Sequence, residues 1–256
     1  MPYSELEPEI MVRAEGAVRV VTMNRPEALN AFNDRLHHAF LNVWTALHHD
    51  EGARVVIVTG EGRAFSAGGD IPGFERTRED MALRRRQQHD TLRLIKEMLG
   101  FPLPVIGAVN GPAVGLGCSI VGMSDIVLMS SQAFLSDPHV PVGIVAADGP
   151  ASTFPFMTSM LRVKEYLFTG DRIPAEVAER VGLANRVVEP ENLMSEAMAL
   201  AERLAAMPAV ALQDTKRALN LFLLDAVQRV LPYSLAAQSE SFMTDDVTAT
   251  IARFKK

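Results

Sequence analysis

The chain has 256 residues, 48% apolar and 22% charged, with one cysteine and a formal net charge of −6. That balance supplies a large α/β core and excludes an intrachain disulfide or a cysteine metal cluster. It offers no basic footprint for nucleic acid, no leader-like N-terminus in Met1–Met11 and no apolar run of the ~20 residues a membrane span needs. A cytoplasmic globular protein is expected.

In chain order, Ala17–Met23 is an apolar, β-branched run ending in the turn Asn24-Arg25-Pro26, which predicts a strand. Asn33–His49 carries Leu36, Phe40, Val43, Trp44 and Leu47 at helical spacing, with Asn33 or Asp34 as the candidate cap. Its histidine pairs His37/His38 and His48/His49 are adjacent in sequence and do not share a face, so they read as surface or cap residues, and no metal is expected. Val55–Thr59 has the continuous apolar character of a strand buried on both sides.

A glycine-rich loop, Gly60–Gly69, follows, and then a polar helix over about Arg78–Leu99, whose Arg84-Arg85-Arg86 run reads as a solvated face. Pro104–Val109 and Ile126–Met129 are further strands, on either side of a glycine-rich helix over Val114–Met123. Asp125 is expected to close a turn before the second of them. This alternation implies a parallel sheet covered by helices. Leu193–Met207, Ala209–Leu224 and Asp225–Ser241 read as successive helices punctuated by Pro208 and Pro232. The expected organisation is an α/β core over residues 1–194 and a helical region over 195–256.

Two glycine-rich elements each follow a buried strand: Gly60–Ile71 and Asn110–Cys118. Open α/β sheets place ligand crevices there. Neither is a P-loop, since no Gly-Lys-Ser/Thr follows. Each can aim a backbone N–H at one oxygen, and together they would make an oxyanion hole.

The segments Asn24–Ala31, Ala64–Ile71, Pro104–Cys118, Ser124-Asp125-Ile126, Thr169–Ile173 and Gly182–Val188 resemble the crotonase (enoyl-CoA hydratase/isomerase) superfamily in order and spacing. The resemblance implies a core of repeated ββα units and a C-terminal helical trimerisation region, in a homotrimer or dimer of trimers. It implies an acyl-CoA substrate, with coenzyme A as part of that substrate and no other cofactor. Position by position, it puts the oxyanion donors at Gly69 and Leu116, where the second is ordinarily glycine. It puts the CoA contacts at Ala28, Ala67, Asp70 and Ile71.

The two hydratase glutamate positions fall on Ser119, counted here among the substrate contacts, and on His139. Neither is a carboxylate, so two-carboxylate hydration is not expected. The remaining acid/base candidates are His139 and Asp148, nine residues apart, with Asp137 as a second partner for the ring. Similar His and Asp placement occurs in family members that hydrolyse β-diketones, such as 6-oxocamphor hydrolase. Three readings follow: an acyl-CoA enzyme using His139 and Asp148, a CoA-independent C–C hydrolase, and a non-catalytic acyl-CoA binder. Glu240, Asp245 and Asp246 are weak candidates for reaching the site.

Overall fold

The structure, a computed structural model, describes residues 2–254, with the side chains of Ile71, Pro72 and Phe254 outside the description. Strands β1 (Ile10–Glu15) and β2 (Val18–Met23) pair antiparallel across Gly16, whose φ of 57° suits only a residue without Cβ strain. The sequence pattern predicts no strand over β1, an edge strand with three consecutive exposed positions at its end. Helix α1 (Asp34–His48) follows, and Asn33 caps it by accepting from the Leu36 N–H at 2.9 Å.

Beyond β3 (Val55–Gly60), the helix expected over about 78–99 is α3 (Met81–Gly100), and a helix the sequence pattern does not predict, α2 (Ile71–Glu79), comes before it. Asp80 divides them because its carboxylate accepts from the Ala82 and Leu83 N–H groups, which favours an extended cap over continued helix. Arg84 is buried, donating to the Thr77 and Arg78 carbonyls at this junction, while Arg85 and Arg86 are exposed. The expected solvated arginine face therefore holds for two of the three.

The chain continues through β4 (Val105–Val109), β5 (Ala113–Val114), α4 (Leu116–Met123), β6 (Ile126–Ser130) and β7 (Phe134–Ser136). Next come α5 (Pro150–Thr153), α6 (Met160–Thr169), β8 (Ile173–Pro174), α7 (Ala175–Val181) and β9 (Arg186–Val188). The main sheet has the order β1-β2-β3-β4-β6-β9, parallel except for β1, and β5-β7-β8 form a second small sheet. Isolated bridges from Phe32 to Gly69 and from Ser66 to Ala113 extend the small layer. Long strand, short strand and helix thus recur, as in β4-β5-α4 and in β6-β7-α5, which is the ββα repeat.

Side-chain alternation sends each central strand into two cores. Val56 and Val58 of β3, with Val105 and Val109 of β4, face α1 and α3 around Phe40, Trp44 and Leu94. Val55, Ile57, Ile106 and Ala108 face the other way, onto Leu193, Ala197, Leu200 and Ala201 of α8 (Leu193–Ala205). Each fully buried aliphatic side chain stabilises the fold by roughly 1.5–3 kcal/mol.

Helix α9 runs unbroken from Ala209 to Ser241 and through Pro232, where two helices, Ala209–Leu224 and Asp225–Ser241, were expected. Proline in a helix interior costs about 3 kcal/mol. Burial of Val227, Leu231 and Leu235 as one stripe against the main core offsets that cost. Lys216 anchors the same helix: its Nζ lies 2.6 Å from Asp125 and 2.8 Å from the Leu103 carbonyl. Asp125 also accepts from the Val105 N–H, so it closes its turn and pairs a buried cation. Helix α10 (Asp245–Phe254) ends the description, with Val247 and Ile251 packed beside Ile144, Val142, Phe74 and Phe242.

Candidate active site

A cavity of about 940 Å³ opens beyond the C-terminal ends of β3 and β4, where the two glycine-rich loops meet. The first loop is locked to the residues before α1. Asn30 holds the Glu61 and Ala64 carbonyls, Ser66 Oγ donates to the Asn30 carbonyl, and Ala67 N–H donates to Leu29. Arg25 reaches Asp70 at 3.5 Å. Ala28, Ala67, Gly69 and Asp70 all line the cavity, while the side chain of Ile71 lies outside the described residues.

The Phe32–Gly69 bridge is made by Phe32 N–H to the Gly68 carbonyl and Asp70 N–H to the Phe32 carbonyl, so it does not use the Gly69 N–H. Leu116 is the first residue of α4, and its N–H precedes the first bond of the helix, from Ser119 N–H to the Gly115 carbonyl. Gly115 has φ 52°, and a Cβ built there would lie 3.7 Å from Gly68 Cα and 3.8 Å from His139 Cε1. This close approach draws both loops and the imidazole together.

His139 begins a short 3-10 turn after β7, and Asp148 precedes α5. Asp137 contacts His139 Nδ1, and Asp148 Oδ2 lies 3.4 Å from Nε2. Burial lowers the imidazole pKa, but the Asp148 and Asp137 carboxylates outweigh it and push it up to about 10. Burial holds Asp148 above the usual carboxylate range against the pull of His139. Asp137 is buried too, but its contact with the imidazolium brings it below that range. The arrangement is one cation between two carboxylates.

Ligand atoms of Asp137, His139 and Asp148 lie within 4.8 Å of one another, close enough to surround a cation. An imidazolium has no lone pair to give a metal, so this charge state favours a proton there. Ser119 differs from its expected place. It is fully buried under Gly149 and does not line the cavity, because the first full turn of α4 carries it inward. Its hydroxyl donates to the Gly115 carbonyl at 3.2 Å and lies near enough to Asp148 to favour that carboxylate's charge.

Several further residues line the cavity that were not expected there. Phe74, Leu83, Val142 and Phe242 form apolar wall, and His37, Arg86, Gln87 and Asp90 form polar wall. His37 is half-buried, contrary to its reading as a surface residue, because it is drawn from the α1 face that meets α3. Glu240, Asp245 and Asp246 are exposed and do not line the cavity.

The family model described as enoyl-CoA hydratase/isomerase matches residues 13–256. The chain belongs to the enoyl-CoA hydratase/isomerase family. The short-chain-enoyl-CoA hydratase of Clostridium acetobutylicum is 33% identical over 248 residues, covering 96% of this chain and 94% of that protein. The crotonyl-CoA hydratase of Syntrophomonas wolfei is 32% identical, covering 93% and 91%. Among solved structures, an enoyl-CoA hydratase/isomerase from Mycobacterium paratuberculosis superposes with a TM-score of 0.92 at 46% identity, covering 96% of this chain and 98% of that one. The chain is thus an enzyme of this family with the crotonase fold. Among the described residues, no helix is long and apolar enough to cross a membrane.

Proposed function

We propose that the enzyme acts on an acyl-CoA thioester by proton transfer, moving a double bond or adding water across it. The observation that carries this reading is the convergence of the Gly69 and Leu116 amides and the His139/Asp148 pair on one cavity. The two amides would hold the thioester oxygen as it gains charge, the step at which preorganised donors matter most. Asp148, buried and raised in pKa, is suited to take the substrate proton, and the His139 imidazolium to give one back. Asp148 takes a proton, from the substrate carbon in isomerisation or from the attacking water in hydration, and becomes neutral as the oxyanion forms. His139 then protonates the enolate carbon and becomes neutral. Transfer of the proton from Asp148 to His139, 3.4 Å apart, would restore both.

Ala28, Ala67 and Asp70 would carry the CoA moiety, coenzyme A being part of the substrate and not a resident cofactor. Exposed Leu219 and Phe222 on α9 and Leu161 and Phe168 on α6 support assembly as a homotrimer or a dimer of trimers. The single buried thiol, Cys118, suits a cytoplasmic setting.

The replacement of both expected glutamates by Ser119 and His139 favours a second reading, C–C hydrolysis of a β-diketone in the same hole. Titration with a non-hydrolysable acyl-CoA thioether separates the two. Saturable binding of the thioether is expected, and with an acyl-CoA thioester solvent deuterium should enter the acyl α-carbon in the wild type and not in Asp148→Asn. Absence of binding by folded, oligomeric protein that cleaves cyclic diketones would give the second reading first place. Binding without exchange would mean a non-catalytic acyl-CoA binder.

A further inference from the structure

The residues that line the cavity are of two chemical kinds. Phe74 and Phe242, 6.1 Å apart edge to face, are apolar, with Val142 and with Leu83 of α3. His37 from α1 and Arg86, Gln87, Asp90 and Thr91 from α3 form its polar wall. The α3 residues form two i,i+4 pairs, Arg86/Asp90 and Gln87/Thr91, on adjoining stripes of the helix.

These polar groups are not used up by the fold. Neither ring nitrogen of His37 is hydrogen-bonded among the described residues, although the ring packs edge-on to Phe32. Asp90 and Arg86 likewise make no hydrogen bond or ion pair among the described residues. Gln87 Oε1 accepts from Thr77 at 3.0 Å, which leaves its amide NH₂ as a donor for the cavity. Asp34 and Arg76, also on the rim, neutralise each other at 3.0 Å. Burial keeps the His37 imidazole neutral, against the pull of Asp90 and Asp34.

A purely alkyl tail would leave this wall unmatched, because half-buried polar groups without partners lose binding free energy when a ligand displaces their water. The donors and acceptors narrow the choice. A neutral imidazole offers one donor and one acceptor, Gln87 a donor, and Asp90 an acceptor only. A carboxylate would be drawn by Arg86 but would face the like charge of Asp90 and bring it no hydrogen, and a ketone has no hydrogen for it either. A hydroxyl satisfies both.

We propose that the acyl group carries a hydroxyl beyond the reacting carbons, and that His37 and Asp90 bind it. This specificity rests on the acyl-CoA reading above. It is tested by titrating the full oligomeric chain with two series of acyl-CoA thioethers of matched tail length, one alkyl and one with a terminal hydroxyl. At the fitting length the hydroxylated probe is expected to bind about tenfold more tightly. His37→Phe should abolish that preference while retaining alkyl binding, and Asp90→Leu should weaken it independently.

Alkyl binding with no hydroxyl preference at any length overturns the inference and leaves the acyl-CoA reading standing. A preference that survives His37→Phe, or equal weakening of both probes, also overturns it, the latter because the imidazole would then serve the CoA moiety. Failure of both series to bind the wild type defeats the acyl-CoA reading itself, and this inference with it.

Discussion

His139 turns Nε2 toward Asp148 Oδ2 at 3.4 Å, at the wall of a cavity that Gly69 and Leu116 also line. The opposite ring nitrogen is occupied by Asp137. Each carboxylate keeps one buried oxygen without a hydrogen-bond partner, Asp137 Oδ2 and Asp148 Oδ1. Unsatisfied carboxylate oxygens are costly in a buried site, which agrees with the raised pKa of Asp148.

The first prediction concerns pH. The ordinary histidine value is 6.5 and that of folded His139 is about 10, so its ionic contribution to stability is complete below 6.5 and is lost as pH rises through about 10. Asp148 is raised and becomes a carboxylate only above the ordinary carboxylate range. With Asp148 as base and His139 as acid, turnover should rise as Asp148 ionises and fall near pH 10. Nitrogen-15 NMR at neutral pH should find both ring nitrogens of His139 protonated; a neutral ring would reverse the roles.

The two aspartates should separate kinetically. Asp148→Asn is expected to lower kcat by about 10²–10⁴-fold while thioether affinity stays near the wild-type value. Asp137→Asn removes one of the two charges that raise the imidazole, so its main effect should be to move the alkaline limb of the rate profile to lower pH. Paired kcat–pH curves check both. Equal losses with unshifted limbs would assign both residues a merely structural role.

Lys216 and Asp125 make the third case. Both are largely buried and lie 2.6 Å apart, joining α9 to the turn before β6. Lys216→Met should destabilise the chain by about 3–5 kcal/mol, because it strands a buried carboxylate. The double variant Lys216→Met/Asp125→Asn should recover much of that loss. Urea unfolding of the three proteins gives the coupling directly.

Acid sensitivity should have a source far from the site. Arg19 and Tyr3 hold Asp50, lowering it from 3.8 to about 2. A depressed carboxylate stabilises the fold above its unfolded value and loses that contribution as pH falls through its folded value. Solvent screening at this surface position reduces the loss to about 1 kcal/mol, between roughly pH 4 and pH 2. Asp50→Asn should flatten that part of the stability–pH curve, read by chemical denaturation.

The central strands and α1 were legible because their evidence is local. Val55–Thr59 is an unbroken apolar run, and Asn33 caps a helix whose apolar stripe needs no tertiary knowledge. The strands of the small sheet were not, since β5 and β8 have two residues each and show no period. The start of α3 after Asp80 and the continuity of α9 through Pro232 were misjudged for opposite reasons. A side-chain cap outcompeted helical periodicity at one, and burial of a leucine stripe outweighed a proline at the other.

By itself the sequence determined an α/β chain with two glycine-rich turns after buried strands, and it placed Gly69, Leu116, His139 and Asp148 as the residues to watch. Tertiary structure alone decided that these four share a cavity, that Asp137 completes the ion cluster, that Ser119 lies behind it, and that His37 faces into it. The reason is that backbone pattern is written in neighbours three or four residues apart. A pocket wall is assembled from α1, α3, α4 and the loops after β3 and β7, and the charge on His139 depends on carboxylates whose distance only packing sets.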